Sequence, residues 1–168
     1  MKQNKSSLIS RPLSDTDIME KLAKYGIRTK IIKYSDLDNI HNITDHMVDD
    51  NCVILYQTEG PNYGHWTCLI KTNYDGKEVL ELFDPYGMLI DDELKHSDYL
   101  DGERKLTELL YKSGKDISYN HHKFQKMSDN IATCGRWVIA RIINKDLSLR
   151  EFYNEFKNVN DKDIAGAI

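Results

Sequence analysis

The sequence predicts an α+β fold, a small, mostly antiparallel sheet packed with helices. Three apolar runs, at residues 52–57, 66–72 and 79–83, have the length and composition of strands. Turn-forming residues separate them, with Gly60-Pro61 after the first run and Asp75-Gly76 after the second. The second break predicts a hairpin, so at least those two strands are expected to be antiparallel. Segments with helical spacing stand before and after the three runs, an order of elements typical of an α+β domain.

The helices are predicted from their caps and from apolar side chains that recur every three or four residues. The first begins after Ser14, which suits an N-cap, and closes at Gly26, which suits a C-cap. Its apolar stripe consists of Ile18, Leu22 and Tyr25. Three further stretches have the same kind of spacing: residues 102–113, a segment that begins at Cys134, and residues 148–157.

A single domain over residues 1–168 is predicted, because this length is sufficient for one hydrophobic core. The sequence shows no internal repeat, low-complexity segment or second domain. Residues 1–13 are expected to form a flexible or loosely docked arm, and residues 91–101 an acidic loop. Residues 31–32 and 117–124 predict two further short strands.

Composition argues against several classes of protein. The contents of 40% hydrophobic and 30% charged residues are ordinary for a soluble globular domain. A formal net charge of −4 argues against a broadly basic nucleic-acid-binding protein. No apolar run approaches the roughly 20 residues of a membrane span, and residues 1–7 lack a signal-peptide core. We therefore expect a protein that is neither secreted nor inserted in a membrane.

The chain has three cysteines, Cys52, Cys68 and Cys134, an odd number at irregular spacing. This pattern predicts neither a disulfide framework nor a zinc site, and it fits a reducing compartment. Cys52 and Cys68 lie inside apolar strands and are therefore expected to be core residues.

Cys134 has a different setting, because it stands between Thr133 and Gly135 at the start of an apolar helix. The positive end of the helix dipole favours a thiolate at such a position. Gly135 is expected to let a substrate backbone approach, and the Cys134 amide could donate to an oxyanion. The alternative is a small buried cysteine with a packing role only.

His65 and Asp84 are the candidate partners of this thiol. His65 begins one predicted strand, and Asp84 follows the end of the next. Two adjacent antiparallel strands would place both residues at one edge of the sheet, as an imidazole–carboxylate pair requires. The alternatives are a surface histidine in a turn and, for Asp84, a plain Asp-Pro-x-Gly type I turn. Trp66 is either core or a wall of the site.

Gln125 is a candidate donor to an oxyanion, provided that the loop over residues 126–133 folds back beside the thiol. Asn130 is the competing donor in that loop, and a solvated, idle Gln125 is the alternative. His121 and His122 have no partner at metal-ligand spacing, so we expect exposed strand residues and no metal or cofactor.

A histidine, a carboxylate, a glutamine and a cysteine, in this order, are the parts that a thiol protease needs. Papain-type enzymes place the cysteine first, so the order here excludes a papain arrangement. Gly-His-Trp, Phe-Asp-Pro-Tyr-Gly and Thr-Cys-Gly-Arg-Trp-Val resemble the motifs of adenain-like and SUMO-protease-like cysteine peptidases over roughly residues 65–141. The residues of these motifs are most similar to those of maturation proteases of virophages, polinton-like elements and giant DNA viruses.

This resemblance implies roles for four residues: His65 as base, Asp84 as its orienting carboxylate, Gln125 as oxyanion donor and Cys134 as nucleophile. It also implies an adenain-like fold with the nucleophile at the N-terminus of a central helix, and a catalytic half over residues 51–145. The family's glutamine usually lies somewhat closer to the cysteine, so the loop here is expected to be longer.

The function implied is that of a viral cysteine endopeptidase that cleaves capsid or other virion precursor proteins during particle maturation. We expect a monomer in the virion and the host-cell cytoplasm. Adenain is stimulated by DNA and by a disulfide-linked peptide, and whether this chain has such an activator stays open. The alternatives are a protease of ubiquitin-like modifiers, a cysteine acyltransferase and a non-enzymatic capsid-associated protein.

Overall fold

One five-stranded sheet organises the computed structural model, which describes residues 5–128 and 131–168. The strands follow one another in the order of the sequence: β1 (Ile31–Lys33), β2 (Asn51–Gly60), β3 (Tyr63–Tyr74), β4 (Lys77–Phe83) and β5 (Asp116–Tyr119). The α-helices are α1 (Lys5–Ser10), α2 (Asp15–Ala23), α3 (Lys105–Lys112), α4 (Cys134–Ile143), α5 (Leu149–Phe156) and α6 (Asp161–Ala167). The predicted α+β class is confirmed.

The centre of the sheet is an antiparallel meander of β2, β3 and β4, and both outer pairs are parallel. The hairpin predicted at Asp75-Gly76 is present, because Tyr74 pairs with Lys77 and both turn residues have positive φ angles of 50° and 80°. β1 and β5 reach their parallel positions through crossovers that contain short 3₁₀ helices or α3. The long antiparallel register of β3 and β4 fixes which residues meet at the edge of the sheet.

The sheet is buried on both faces. Along β2, Val53 and Leu55 face the helical layer that contains α2 and α4, whereas Ile54 and Tyr56 face the layer that contains α3. A strand buried on both faces carries a continuous apolar run instead of an alternating one, which explains the composition of residues 52–57. Cys52 and Cys68 are fully buried in these two layers, as expected for core residues.

Helix α4 crosses the buried face of the sheet and is itself buried from Cys134 to Ile142. Arg141 of this helix forms a two-pronged ion pair with Glu81 of β4, with N···O distances of 2.8 and 2.9 Å. Both side chains are almost completely excluded from solvent. The pair ties the end of α4 to the strand that leads to Asp84.

Three segments differ in detail from the expectations. The strand expected over residues 117–124 is shorter, because β5 ends at Tyr119 and Asn120 turns its side chain to the backbone of Asp84. The acidic stretch expected as a loop contains a 3₁₀ helix, Asp92–His96. Tyr25 is 56% exposed, so the apolar stripe of α2 consists of Ile18 and Leu22 alone.

Part of the segment expected as a flexible arm, residues 1–13, is α1, which packs against α6. Leu13 is buried in the core beside α4. None of the helices in the described part of the chain is long and apolar enough to cross a membrane.

Candidate active site

The register of β3 and β4 brings His65 and Asp84 together. Cys68 pairs with Phe83, so Asp84, one residue beyond β4, lies beside the start of β3. The distance from His65 Nε2 to Asp84 Oδ1 is 2.7 Å, and both side chains are buried. The predicted imidazole–carboxylate pair is therefore present as a direct hydrogen bond.

Cys134 reaches the same place from the other layer, as the first residue of α4. Its Sγ accepts a hydrogen bond from the Trp66 backbone N–H at 3.4 Å and is a hydrogen-bond partner of the His65 imidazole. Because Asp84 occupies Nε2, Nδ1 is the ring nitrogen left for the thiol. In space, the three side chains thus lie in the order thiol, imidazole, carboxylate.

The electrostatics of the pair favour a charged imidazole. Burial lowers the pKa of His65, but attraction and hydrogen bonds from Asp84 and Cys134 outweigh burial and raise it well above its ordinary value. Burial raises the pKa of Asp84, but His65, a hydrogen bond from Glu93 and the Tyr86 N–H outweigh it and lower that pKa. The ion pair is therefore stabilised in a site that water hardly reaches.

Tyr86 and Asn120 hold this pair in place. The Tyr86 ring stacks on the His65 ring with centroids 4.2 Å apart, and its backbone N–H donates to Asp84 Oδ1 at 2.8 Å. Asn120 Oδ1 accepts from the Asp84 N–H at 2.9 Å, and its Nδ2 donates to the Asp84 carbonyl at 2.6 Å. The segment is also a turn, since the Gly87 N–H donates to the Asp84 carbonyl and Gly87 has a φ angle of 68°. The turn that begins at Asp84 is therefore itself part of the site.

Glu93 is a further member of the site that sequence reasoning missed. It lies on the 3₁₀ helix Asp92–His96, is 2% exposed, and places Oε1 3.6 Å from His65 Nε2. Its carboxyl oxygen lies within 4.8 Å of that of Asp84. In an acidic stretch that looks like an exposed loop, the sequence contains no signal that singles out this glutamate.

His65, Asp84 and Glu93 also form the one cluster in the described residues whose donor atoms all lie within 4.8 Å, as metal ligands would. Two ligands of a zinc ion at about 2.1 Å would lie about 3 Å or more apart. The direct bond of 2.7 Å between Nε2 and Oδ1 leaves no such gap. The geometry fits a shared proton better than a metal ion.

Gln125 is buried rather than solvated. Its Nε2 donates to the Ile131 carbonyl at 3.2 Å and reaches the Tyr86 hydroxyl at 3.5 Å. The Ile131 backbone therefore lies beside Gln125, and Tyr86 joins Gln125 to the His65 ring. Asn130, the competing donor, lies outside the described residues.

Asp161 of α6 holds both ends of the loop before Cys134, another contact that the sequence does not reveal. Its Oδ2 accepts from the Lys126 N–H at 3.0 Å. Its Oδ1 accepts from the Thr133 hydroxyl at 2.6 Å and from the Trp137 indole at 3.1 Å. One carboxylate therefore fixes the loop and the first turn of α4 together.

The expectation that Gly135 faces the substrate is wrong, because Gly135 is buried. A Cβ at this position would lie 3.2 Å from both Leu13 Cβ and Trp66 Cδ1, so the glycine permits close packing inside the protein. Trp66 is both core and wall: its indole N–H donates to the Leu13 carbonyl at 2.9 Å, and it lines an open groove of about 430 Å³. Gly64 and Tyr63 line the same groove next to His65.

No protein-family model matches the chain. Its sequence is similar to that of Uncharacterized protein V9 of Sputnik virophage, with 34% identity over 149 residues that cover 83% of this chain and 80% of V9. The chain belongs to the same family as this virophage protein. The predicted resemblance to proteins of virophages is therefore confirmed by similarity over most of the chain.

A solved structure shares the fold. ASFV pS273R protease superimposes with a TM-score of 0.53 at 13% identity, over 93% of this chain and 65% of the protease. The chain thus spans about two thirds of the length of that protease. SUMO protease Ulp1 superimposes with a TM-score of 0.41 at 15% identity, over 92% of this chain and 76% of Ulp1. The predicted protease fold is confirmed as a fold that the chain shares with ASFV pS273R protease.

Proposed function

We propose that this chain is a cysteine endopeptidase whose nucleophile is Cys134. The observation that carries the proposal is the buried line of thiol, imidazole and carboxylate formed by Cys134, His65 and Asp84. Such a line activates a thiol because the imidazole takes its proton and the carboxylate fixes the ring and stabilises its charge.

In the proposed reaction, the Cys134 thiolate attacks the carbonyl carbon of a peptide bond and forms a C–S bond. The developing oxyanion accepts hydrogen bonds from the Cys134 N–H and from Gln125 Nε2. That amide has two N–H bonds, of which one is held by the Ile131 carbonyl and the other is only weakly engaged by Tyr86. Gln125 therefore has one N–H available for an oxyanion.

His65 then gives its proton to the leaving amine as the C–N bond breaks, which leaves a thioester on Cys134. Water attacks this thioester, with its proton taken by His65, and the C–S bond breaks to release a carboxylic acid product. Stacking by Tyr86 and the bond to Asp84 keep the imidazole in one orientation through both halves of the reaction.

The groove beside Trp66 supports an extended protein substrate. It begins at Gly64, next to His65, and its walls include the apolar side chains of Leu13, Leu55 and Trp66 together with the cation of Lys33. Such a lining suits a chain segment with a large apolar residue on the acyl side of the cleaved bond.

The substrates we propose are capsid or other virion precursor proteins, cut during particle maturation. The virophage family and the fold shared with a viral protease support this class. We propose that the enzyme acts as a monomer, in the host-cell cytoplasm where particles assemble and in the virion.

The test is incubation of the purified full chain with recombinant capsid and minor virion proteins of its virus, followed by mass spectrometry of new N-termini. We expect cleavage by the wild type and by Cys52→Ala, which removes a buried strand thiol, but not by Cys134→Ala. Identical fragments with Cys134→Ala would overturn the proposal. Rapid labelling of Cys134 by a Gly-Gly-ended modifier probe would redirect it to ubiquitin-like modifiers, and acetyl-coenzyme A consumption to acyl transfer.

A further inference from the structure

Glu93 is a buried acid that has no role in the proposed reaction. Its side chain is 3% exposed, and it lies against the ion pair of His65 and Asp84 and not against solvent. In the described part of the chain, no N–H or O–H group of another residue donates a hydrogen bond to its Oε1. A buried carboxylate without a donor is costly, so its protonation state needs an explanation.

The position of Glu93 is set by the rigid start of its helix. Asp91 has a left-handed backbone with a φ angle of 68°. Its carboxylate accepts from the Tyr56 hydroxyl at 2.8 Å and from the N–H and hydroxyl of Thr107 at 2.8 and 2.7 Å. Leu94, directly after Glu93, is buried in the core layer of α3. The hydrogen bonds of Asp91 before Glu93 and the burial of Leu94 after it thus fix the position of Glu93 at the site.

Glu93 and Asp84 are two buried carboxyl groups whose oxygen atoms lie within 4.8 Å of each other. Two buried carboxylates this close repel each other, so one of the two groups carries a proton. Asp84 bonds directly to His65 Nε2 and to the Tyr86 N–H, two donors that favour its ionised form. The proton therefore belongs to Glu93.

We propose that Glu93 is a positioning residue of the active site: its protonated carboxyl donates a hydrogen bond to the Asp84 carboxylate and holds it against His65 Nε2. The inference rests on the proposed function, because a role in positioning has meaning only if His65 and Cys134 form a reactive pair. It adds a neutral acid behind the carboxylate, so that the line becomes thiol, imidazole, carboxylate and carboxylic acid.

The balance of the groups around Glu93 favours a neutral acid. These groups are His65 on β3, Asp84 after β4, Tyr86 in the turn and Cys134 on α4. Burial raises the pKa of Glu93 most, the charge of His65 opposes this, and Asp84 and Cys134 add to the rise, to about 8. Glu93 is then neutral at pH 6 to 7 and ionises only in alkaline solution.

The first arm of the test measures the proton itself, in the full chain, without any substrate. Infrared difference spectroscopy of the wild type between pH 6 and pH 10 should show a protonated carboxyl band that is lost with a midpoint near 8. Glu93→Gln should lack this band. The control, Asp92→Asn, removes a charge from the adjacent, more exposed residue and should keep the band. A wild-type protein without the band at pH 6 would overturn the proposal.

The second arm measures positioning through the rate at which iodoacetamide alkylates Cys134 at pH 6 to 7. Glu93→Gln keeps a hydrogen-bond donor and should stay close to the wild-type rate. Glu93→Ala removes the donor and should lower the rate roughly 10- to 100-fold, towards that of Asp84→Ala. Equal rates for Glu93→Gln and Glu93→Ala, at equal folded fraction, would show that the donor has no effect on the site and would overturn the positioning role.

The two arms separate this inference from the proposed function. If alkylation of wild-type Cys134 does not depend on His65 but the infrared band is present and titrates, the proton-sharing pair stands and the protease proposal fails. If alkylation depends on His65 but the band is absent, the protease proposal stands and the role of Glu93 is refuted.

Discussion

The buried charge on His65 is the central electrostatic feature of the molecule. Desolvation alone would keep the ring neutral, yet Asp84 and Cys134 raise its pKa well above the ordinary value. Stability from such a raised pKa is fully present below the unfolded-state pKa and is lost only as the pH rises through the folded-state pKa. The ion pair therefore contributes to stability throughout the neutral range.

The first prediction at this scale concerns the reactivity of Cys134. Wild-type Cys134 should be alkylated rapidly near neutral pH, because the imidazolium of His65 stabilises its thiolate. His65→Ala should lower that rate about 10-fold or more. Peptide mass spectrometry reads each site separately, and the buried Cys52 and Cys68 provide internal controls that should stay unlabelled. An unchanged rate in His65→Ala would contradict the activated pair.

The second prediction concerns stability and pH. Between about 4.5, the ordinary pKa of a glutamate, and about 8, folded Glu93 holds a proton that the unfolded chain has lost. The fold therefore loses stability as the pH rises through this range, whereas a glutamine does not titrate. The melting temperature of Glu93→Gln relative to the wild type should increase from pH 5 to pH 8 and then level off. A constant difference would contradict the raised pKa.

Among the elements, α6 has an effect on the active site that its position at the end of the chain does not suggest. Asp161 at its start receives three hydrogen bonds from the loop and helix that present Cys134. The loop before Cys134 is thereby fixed at Lys126 and at Thr133, which limits where Gln125 can place its amide. The helix is thus part of the scaffold of the site.

We therefore predict that Asp161→Ala lowers peptidase activity, or Cys134 alkylation in its place, roughly 10-fold or more, because two buried donors lose their acceptor. Asp161→Asn should recover part of the loss, since its amide oxygen still accepts hydrogen bonds. Glu155→Gln on the exposed side of α5 removes the same charge and should have no effect. Equal activity of Asp161→Ala and the wild type, at equal folded fraction, would show that the loop is positioned by other contacts.

For the whole molecule, one buried ion pair links the two halves of the site. Arg141 and Glu81 connect the end of α4, which begins with Cys134, to β4, which leads into Asp84. The Arg141 guanidinium also donates to the Asn144 and Leu147 carbonyls and lies over the Phe152 ring. The pair thus fixes α4 on the sheet at the end opposite the thiol.

Breaking this pair should destabilise the fold far more than removing a surface charge. Glu81→Gln or Arg141→Met alone should lower the free energy of unfolding by about 3–5 kcal/mol, because the partner is left as an uncompensated buried charge. Replacing both by apolar residues should cost less than the sum of the two single changes. Urea denaturation of the four proteins measures this, with Lys112→Met of an exposed helical pair as control. Additive losses would contradict coupling between the two residues.

The sequence by itself determined most of the elements and named the thiol, the imidazole and the carboxylate that the structure brings together. Strand composition, the Asp75-Gly76 turn and the Ser14 cap are local signals, because each depends only on residues that are close together in the chain. The positions of His65 and Asp84 at the ends of two predicted strands were sufficient to place them together, because an antiparallel register fixes which strand ends meet. Cys134 was joined to them by the motif order and the family resemblance.

Only the tertiary structure decided what surrounds those residues. The hydrogen bond from Thr133 to Asp161 joins positions 28 residues apart. Glu93 lies on a short 3₁₀ helix in the connection between β4 and β5, and the sequence there shows no helical periodicity. The strand over residues 117–124 ended early because Asn120 bonds to Asp84, 36 residues away. Gly135 was misjudged for the same reason: its neighbours Leu13 and Trp66 come from distant segments. Contacts between remote residues depend on packing, and packing leaves no pattern in a single stretch of chain.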